Sequence, residues 1–302
     1  MATPIWGIDL GGTKTEGVVM QRDGQVLARR RLPTERDGGY DHIIGQISSV
    51  IELLKKDTGL APERLGIGTP GAIDPGSGLM KNSNTTVLNN RPFHTDLSTA
   101  LGLPLVMAND ANCFAVAEAT IGAGKAYAQG EHLIFGVIMG TGVGGGIVIN
   151  GRVWNGAQGI GGEWGHSFLD ASGGQCYCGN SGCVETLISG PALEKYYFQQ
   201  TGVKARLHHI IDRYEAHQGD VAVEATVKRL LHFYGKALAN IINILDPTAV
   251  ILGGGLSNID LLYEAGRASV AQYVFNPDLH TPILRPQLGD SAGVFGAAML
   301  VA

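Results

Sequence analysis

One unit, written twice, sets most of what this chain can become. Ile5–Leu10 reads as a short apolar strand, Gly11-Gly12-Thr13-Lys14 as a turn, and Thr15–Met20 as a second strand. Ile134–Met139, Gly140-Thr-Gly-Val-Gly-Gly-Gly146 and Ile147–Asn150 repeat that order. A further turn follows each unit, at Asp23-Gly24 before a third strand over Gln25–Leu32, and at Asn150-Gly151. The repetition points to an internal duplication, with each half presenting one phosphate loop to a shared cleft. At 302 residues the chain is long enough for two cores. Its 45 glycines, about twice the average share of roughly 7%, fall in clusters, as backbone-lined ligand loops require.

Neither glycine turn matches a familiar nucleotide motif in its context. A Walker A loop needs Gly-Lys-Ser/Thr and a following helix, whereas Gly12-Thr13-Lys14 leads into a strand. Gly140-x-Gly142-x-x-Gly145 matches the dinucleotide fingerprint by letter, but again a strand follows where a helix is required. What remains is a hairpin whose backbone N–H groups and Thr13 hydroxyl hold phosphates, with Asp9 near enough to organise a magnesium ion.

Ligands in α/β sheets bind beyond the carboxyl ends of strands. Leu65–Gly68 is such a strand, so the turn Thr69-Pro-Gly71-Ala-Ile73 is a candidate substrate wall. Asn82-Ser83-Asn84 adds two amides, which serve either a ligand hydroxyl or an ordinary polar loop. Leu105–Ala108 is another buried strand, ending in Asn109-Asp110 just before a helix carrying Cys113, Ala117 and Glu118. Asp110 is therefore either a cleft carboxylate or the cap of that helix.

Trp164–Glu185 carries three of the four cysteines and one histidine. Cys176 and Cys178 share a tight turn, Cys183 returns after four intervening residues, and His166 lies nine intervening residues before Cys176. Three sulfurs and an imidazole satisfy a closed tetrahedral zinc site; reduced thiols or one disulfide are the alternatives. Glu163 and Glu185 flank the stretch, so a metal there would fix two carboxylates beside one cleft.

The remainder is mostly helical. Apolar spacing indicates helices over 40–57, through 190–245 with its longest run from Val227 to Leu245, over 258–275, and over Ser291–Ala302. The last is rich in small residues and able to pack back on the first domain. Ala249–Leu252 is a strand leading to Gly253-Gly-Gly255, a third glycine loop suited to a flat ring such as adenine. A net charge of −5 argues against a nucleic-acid partner, and no apolar run approaches the roughly 18 residues of a membrane span. Cysteine usage fits metal binding in a reducing cytoplasm.

Three elements together resemble the ROK family of sugar kinases: Asp9-x-Gly-Gly-Thr-Lys14, Gly140-Thr-Gly-Val-Gly-Gly-Gly146, and Gly-Glu-Trp-Gly-His166 with Cys-x-Cys-Gly-x-x-Gly-Cys-x-Glu185. Asn82-x-Asn84…Leu88-Asn89-x-x-Pro92-Phe93, Cys176-Tyr-Cys-Gly and Glu185-Thr-x-Ile-Ser-Gly190 look closest to bacterial fructokinase/mannokinase-type members. The resemblance implies an α/β, two-domain actin/hexokinase/Hsp70-like (ribonuclease H-like) fold with duplicated hairpin-bearing mixed sheets and a cleft between domains. The expected boundaries are 1–117 plus 288–302 for a small domain and 118–287 for a larger one with the zinc loop.

The resemblance also implies ATP-dependent phosphorylation of a hexose hydroxyl, the 6-OH, with fructose or mannose as the expected sugar and N-acetylglucosamine or glucose as the alternative. Asp110 matches the catalytic base and Asp9 the Mg²⁺ position. Gly11, Gly12, Thr13, Thr141 and Gly142 match phosphate loops, with Lys14 an open case, and Gly254 and Gly255 lie where adenosine is held. Gly71, Asn84, Asn109, Asp110, Glu163, His166 and Glu185 match the sugar side, and His166, Cys176, Cys178 and Cys183 the zinc ligands. A homodimer is implied too. A repressor of the same family would need a helix-turn-helix ahead of the strand at Ile5, for which no room is expected; an inactive sugar sensor is opposed by the presence of Asp9, both Gly-Thr loops and Asp110.

Overall fold

The computed structural model describes residues 3–302. The first hairpin forms where the glycine turn interrupts two apolar runs: β1 (Ile5–Leu10) pairs antiparallel with β2 (Lys14–Met20), and β2 with β3 (Val26–Pro33). Helix α1 (Tyr40–Thr58) buries Ile43, Ile47, Val50, Ile51 and Leu54, one face at helical spacing, and ends at Gly59 with φ 67°. Strand β4 (Leu65–Thr69), the short ribbon β5 (Ala72–Ile73) with β6 (Met80–Lys81), and α2 (Phe93–Leu101) follow. Next come β7 (Leu105–Asn109) and α3 (Asp110–Thr120), the latter buried along nearly all its length.

The second half repeats the first. Strands β8 (Leu133–Met139), β9 (Val143–Ile149) and β10 (Arg152–Val153) come first, with the strand after the turn starting four residues earlier than the sequence pattern indicates. Gly144–Gly146 thus belong to a strand and not to the turn. Helices α4 (Glu185–Ile188), α5 (Gly190–Thr201), α6 (Leu207–Glu215) and α7 (Val221–Leu245) follow. Helix α7 begins six residues ahead of its apolar run because Asp220 caps it, accepting from Ala222 N and Val223 N. Strand β11 (Ala249–Gly253) leads through short 3₁₀ turns to α8 (Ala265–Ala271), β12 (Ile283–Leu284) and α9 (Ala292–Met299). The sheets are ordered β3-β2-β1-β4-β7 and β10-β9-β8-β11-β12, one topology used twice. This is the actin/hexokinase-like arrangement.

The chain divides into two compact units. One contains the chain up to Glu131, Gly146–Gly161 and Gln287–Ala302; the other contains His132–Gly145 and Gly162–Pro286. Within the first, α9 packs with backbone against backbone. A Cβ on Gly66 would lie 1.8 Å from Ala297 O, and one on Gly296 1.8 Å from Cys113 O. The buried carboxylate of Glu118 pins the entry to α9, accepting from Gln287 N at 2.9 Å and Leu288 N at 2.8 Å. Among the described residues no helix is long and apolar enough to cross a membrane.

Candidate active site

Sheet register places the first cluster of functional groups. Strands β1, β4 and β7 run parallel, with Asp9 opposite Gly68 and Thr69 opposite Asn109. Asp9, the Thr69 turn and Asn109-Asp110 therefore emerge together at the carboxyl ends of three neighbouring strands. Two absent side chains make room for the Asp9 carboxylate: a Cβ on Gly68 would stand 3.3 Å from Oδ1, and one on Gly293 of α9 2.8 Å from Oδ2. Burial, then the negative charges of Asp110 and Glu16, push the Asp9 carboxyl up to about 6, against the opposing pull of Lys14 and Arg31. A carboxylate so disfavoured by its surroundings gains from a cation beside it.

Asp110 does not cap α3. Asn109 does, its side chain accepting from Asn112 N at 2.8 Å, while Asp110 Oδ1 accepts from Ala111 N at 2.8 Å. Asp110 keeps an exposed face, yet the protein packed around it strips enough water to raise its carboxyl above the ordinary aspartate value, despite hydrogen bonds that oppose this. An accessible carboxylate with raised basicity suits proton abstraction.

Beside it lies a cavity of about 240 Å³ lined by Thr69, Ala72, Ile73, Met107, Asn109 and Asn155, among others. Asn112 also faces it, and its buried Oδ1 has no hydrogen-bond partner. Gly71 does not line the cavity but lets the chain at 81–83 approach, since a Cβ there would meet Lys81 O at 2.6 Å. Asn84 is exposed, fixed through its N–H to Pro70 O at 3.4 Å. Asn112, Met107 and Asn155 escape a reading of the sequence. The first two lie on buried-looking runs, and Asn155 lies 45 residues beyond Asp110.

The first glycine turn is locked by its neighbours: Gly11 N donates to Lys14 O at 2.9 Å, Thr34 N to Thr13 O at 3.0 Å, and Thr34 Oγ1 to Gly11 O at 2.7 Å. Gly12 is left partly exposed. Lys14 Nζ lies 3.7 Å from Glu16.

In the second unit three glycine segments converge. A Cβ on Gly254, where φ is 74°, would strike Met139 O at 2.3 Å, and one on Gly140 would lie 3.7 Å from Gly255 N. Gly190 N donates to Gly140 O at 2.9 Å. The Glu185 carboxylate accepts from Val143 N at 2.9 Å, and a Cβ on Gly142 would lie 2.7 Å from its Oε2. Gly142, Thr141, Gly254, Gly255 and Glu185 thus share one end of the β8–β11 pair. Glu163 precedes a turn holding Trp164, whose Nε1 donates to Gly144 O at 2.7 Å.

The cysteine stretch folds as a knot. Cys176 N donates to Asn180 O and Gly179 N to Cys176 O, with Gly179 and Gly182 at φ 94° and 75°. One ligand atom each from His166, Cys176, Cys178 and Cys183 lies within 4.8 Å of the others. Cys178 and Cys183 Sγ are 3.7 Å apart, and Cys176 Sγ is 3.6 Å from His166 Nδ1. Thiolate bonds of about 2.3 Å around a tetrahedral ion give edges of about 3.8 Å, so the four residues fit a zinc-sized ion. With Nδ1 turned inward, His166 Nε2 faces the Tyr177 hydroxyl at 3.0 Å. Sequence reading assigned no role to Tyr177.

Comparison with known proteins supplies the family. Residues 5–302 match the model of the ROK family. The chain is 36% identical to an N-acetyl-D-glucosamine kinase of Photobacterium profundum and 34% identical to one of Haemophilus influenzae, in each case over 98% of both chains. A solved ROK hexokinase from Thermus thermophilus superposes with a TM-score of 0.88 at 31% identity, covering 99% of this chain and 97% of that one. With the motifs, the duplicated sheets and a family match over almost the full length, the chain belongs to the ROK family of sugar kinases.

Proposed function

We propose that this kinase transfers the γ-phosphoryl group of ATP to the 6-hydroxyl of N-acetylglucosamine. The observation that carries the choice of sugar is the match, over 98% of both chains, to relatives named N-acetyl-D-glucosamine kinase. That match favours the alternative sugar over the fructose or mannose expected from the motif resemblance. The cavity beside Asp110 supports it on chemical grounds. An acetamido group needs amide partners for its C=O and N–H and an apolar contact for its methyl, and Asn112 and Asn155 stand there beside Ile73 and Met107.

In this reading Asp110 accepts the hydroxyl proton as the sugar oxygen attacks. Asn109, Glu163, His166 and Glu185 bind sugar hydroxyls, Gly71 and Asn84 shape the approach, and the turns at Gly11–Lys14 and Thr141–Gly142 receive phosphates. Gly254 and Gly255 line the adenosine. Phosphoryl transfer asks the protein chiefly for alignment and charge neutralisation. A Mg²⁺ ion held through Asp9 supplies part of that neutralisation. Zinc on His166, Cys176, Cys178 and Cys183 is structural and fixes the direction of His166.

The test is kcat/KM with ATP across N-acetylglucosamine, glucose, mannose and fructose. N-acetylglucosamine is expected to lead by at least about tenfold, because a site built for a polar group rejects substrates that lack it. A lead by fructose or mannose overturns the assignment of the sugar, and no turnover on any of them overturns the kinase reading.

A further inference from the structure

Two side chains outside every motif converge on the first glycine turn. A Cβ on Gly12 would lie 3.8 Å from Thr85 Oγ1 and 3.9 Å from Arg36 Nη1, so both groups border the space that this glycine leaves open. Thr85 is 1% exposed, and its hydroxyl has no hydrogen-bond partner. Its backbone is nonetheless fixed: Thr85 N donates to Ser83 Oγ at 3.1 Å, and Thr85 O accepts from Leu88 N at 3.0 Å. A buried hydroxyl held rigid and left unpaired is costly unless something completes it.

Arg36 reaches the same point by a strained route. Thr34 is tied to the glycine turn through both its N–H and its hydroxyl, and the next residue, Glu35, takes a left-handed conformation with φ 47°. That reversal starts the short 3₁₀ turn Arg36–Gly38 and directs Arg36 toward Gly12. The Glu35 carboxylate is meanwhile engaged by His42 Nε2 at 3.0 Å and Gln46 Nε2 at 3.2 Å. Arg36 has no ion pair or hydrogen bond through its guanidinium among the described residues, unlike Arg29, Arg30 and Arg31 on β3, which pair with Glu16 or Asp57. A strained backbone that delivers an uncommitted arginine beside an unpaired buried hydroxyl, over a glycine turn, is a layout for a tetrahedral anion.

We propose that Arg36 and Thr85 bind the transferred γ-phosphoryl group over Gly12. This inference rests on the phosphotransfer reading above. As the sugar oxygen forms its bond to the γ-phosphorus, the bond to the β,γ-bridging oxygen breaks, the electron pair leaves with ADP, and the hydroxyl proton passes to Asp110. Arg36 and Thr85 donate hydrogen bonds to the γ-oxygens and are unchanged at the end. Because they touch the γ-group alone, they distinguish a triphosphate from a diphosphate.

The experiment is calorimetric binding of Mg-ADP and of the Mg complex of the β,γ-imido analogue of ATP to the full chain, alongside steady-state kinetics, for wild type, Arg36→Gln, Arg36→Lys and Thr85→Val. Arg36→Gln is expected to weaken the triphosphate analogue by roughly 10- to 100-fold and ADP by less than about threefold. It should also lower kcat by about 100-fold or more with sugar KM little changed. Arg36→Lys recovers part of the loss, and Thr85→Val loses triphosphate affinity without a lower melting temperature, since the hydroxyl it removes has no partner. Equal weakening of both nucleotides, a rise in sugar KM alone, or full activity in Arg36→Gln overturns the proposal while leaving the kinase intact. If wild type binds neither nucleotide, the kinase reading falls and takes this inference with it. Should Arg36→Gln not fold, Arg36→Lys and Thr85→Val decide by the same ratio of triphosphate to diphosphate affinity.

Discussion

On β2 the carboxylate of Glu16 is almost wholly buried and collects three cations: Arg29, Arg31 at 2.8 Å and Lys14 at 3.7 Å. Burial pushes its carboxyl up, but the hydrogen bonds and charges of Arg29 and Arg31 outweigh that and hold it below the ordinary glutamate value. A depressed carboxylate contributes stability that is present above its unfolded pKa of about 4.3 and is lost as pH falls through the folded value. Glu16→Gln should therefore cost about 1–3 kcal/mol at neutral pH, allowing for half-exposed partners. It should also flatten the acid limb of the stability curve, as read by urea unfolding between pH 3 and 7. Parallel curves for the two proteins would contradict this. In the sequence itself the three-arginine run at 29–31 gives no sign of this partner. Its purpose depends on which strand lies beside it, and no local pattern carries that.

Helix α9 marks the limit of legibility among elements. Its small residues announced a helix able to pack closely, and the structure has it there, in the first unit. What it packs against became visible only through Gly7 and Gly66, which read as nothing special in their strands. Gly66→Ala would set a Cβ 1.8 Å from Ala297 O. Backbone cannot step aside as a side chain can, so the expected cost is about 3 kcal/mol, the upper part of the range for overpacking. An unchanged denaturation midpoint would refute that packing. The helix expected over 258–275 shrinks to Ala265–Ala271, because residues 255–262 tighten into 3₁₀ turns held in part by Tyr263 Oη donating to Ser257 O at 2.8 Å. Strand β12, two residues between Pro282 and Pro286, gave no periodicity to read.

Across the molecule the duplicated sheet, the clustering of His166 with Cys176, Cys178 and Cys183, and the family were all legible, because each is written in local residue order. The sugar was not, since it depends on one substituent meeting a cavity assembled from β4, β5, β7 and the segment at 155–159. Metal removal tests how far the cysteine knot supports function. Cys178→Ala or chelation should release about one zinc per chain and lower sugar affinity and melting temperature together. An active, stable, metal-free protein would contradict the structural role. The central claim is that Asp110 takes the sugar's proton in ATP-dependent phosphoryl transfer, and Asp110→Asn tests it most directly. With N-acetylglucosamine binding measured by calorimetry and turnover by a coupled ADP assay, the account predicts sugar affinity within a few-fold of wild type and kcat lower by roughly 10²–10⁴-fold. A kcat near that of wild type would contradict it.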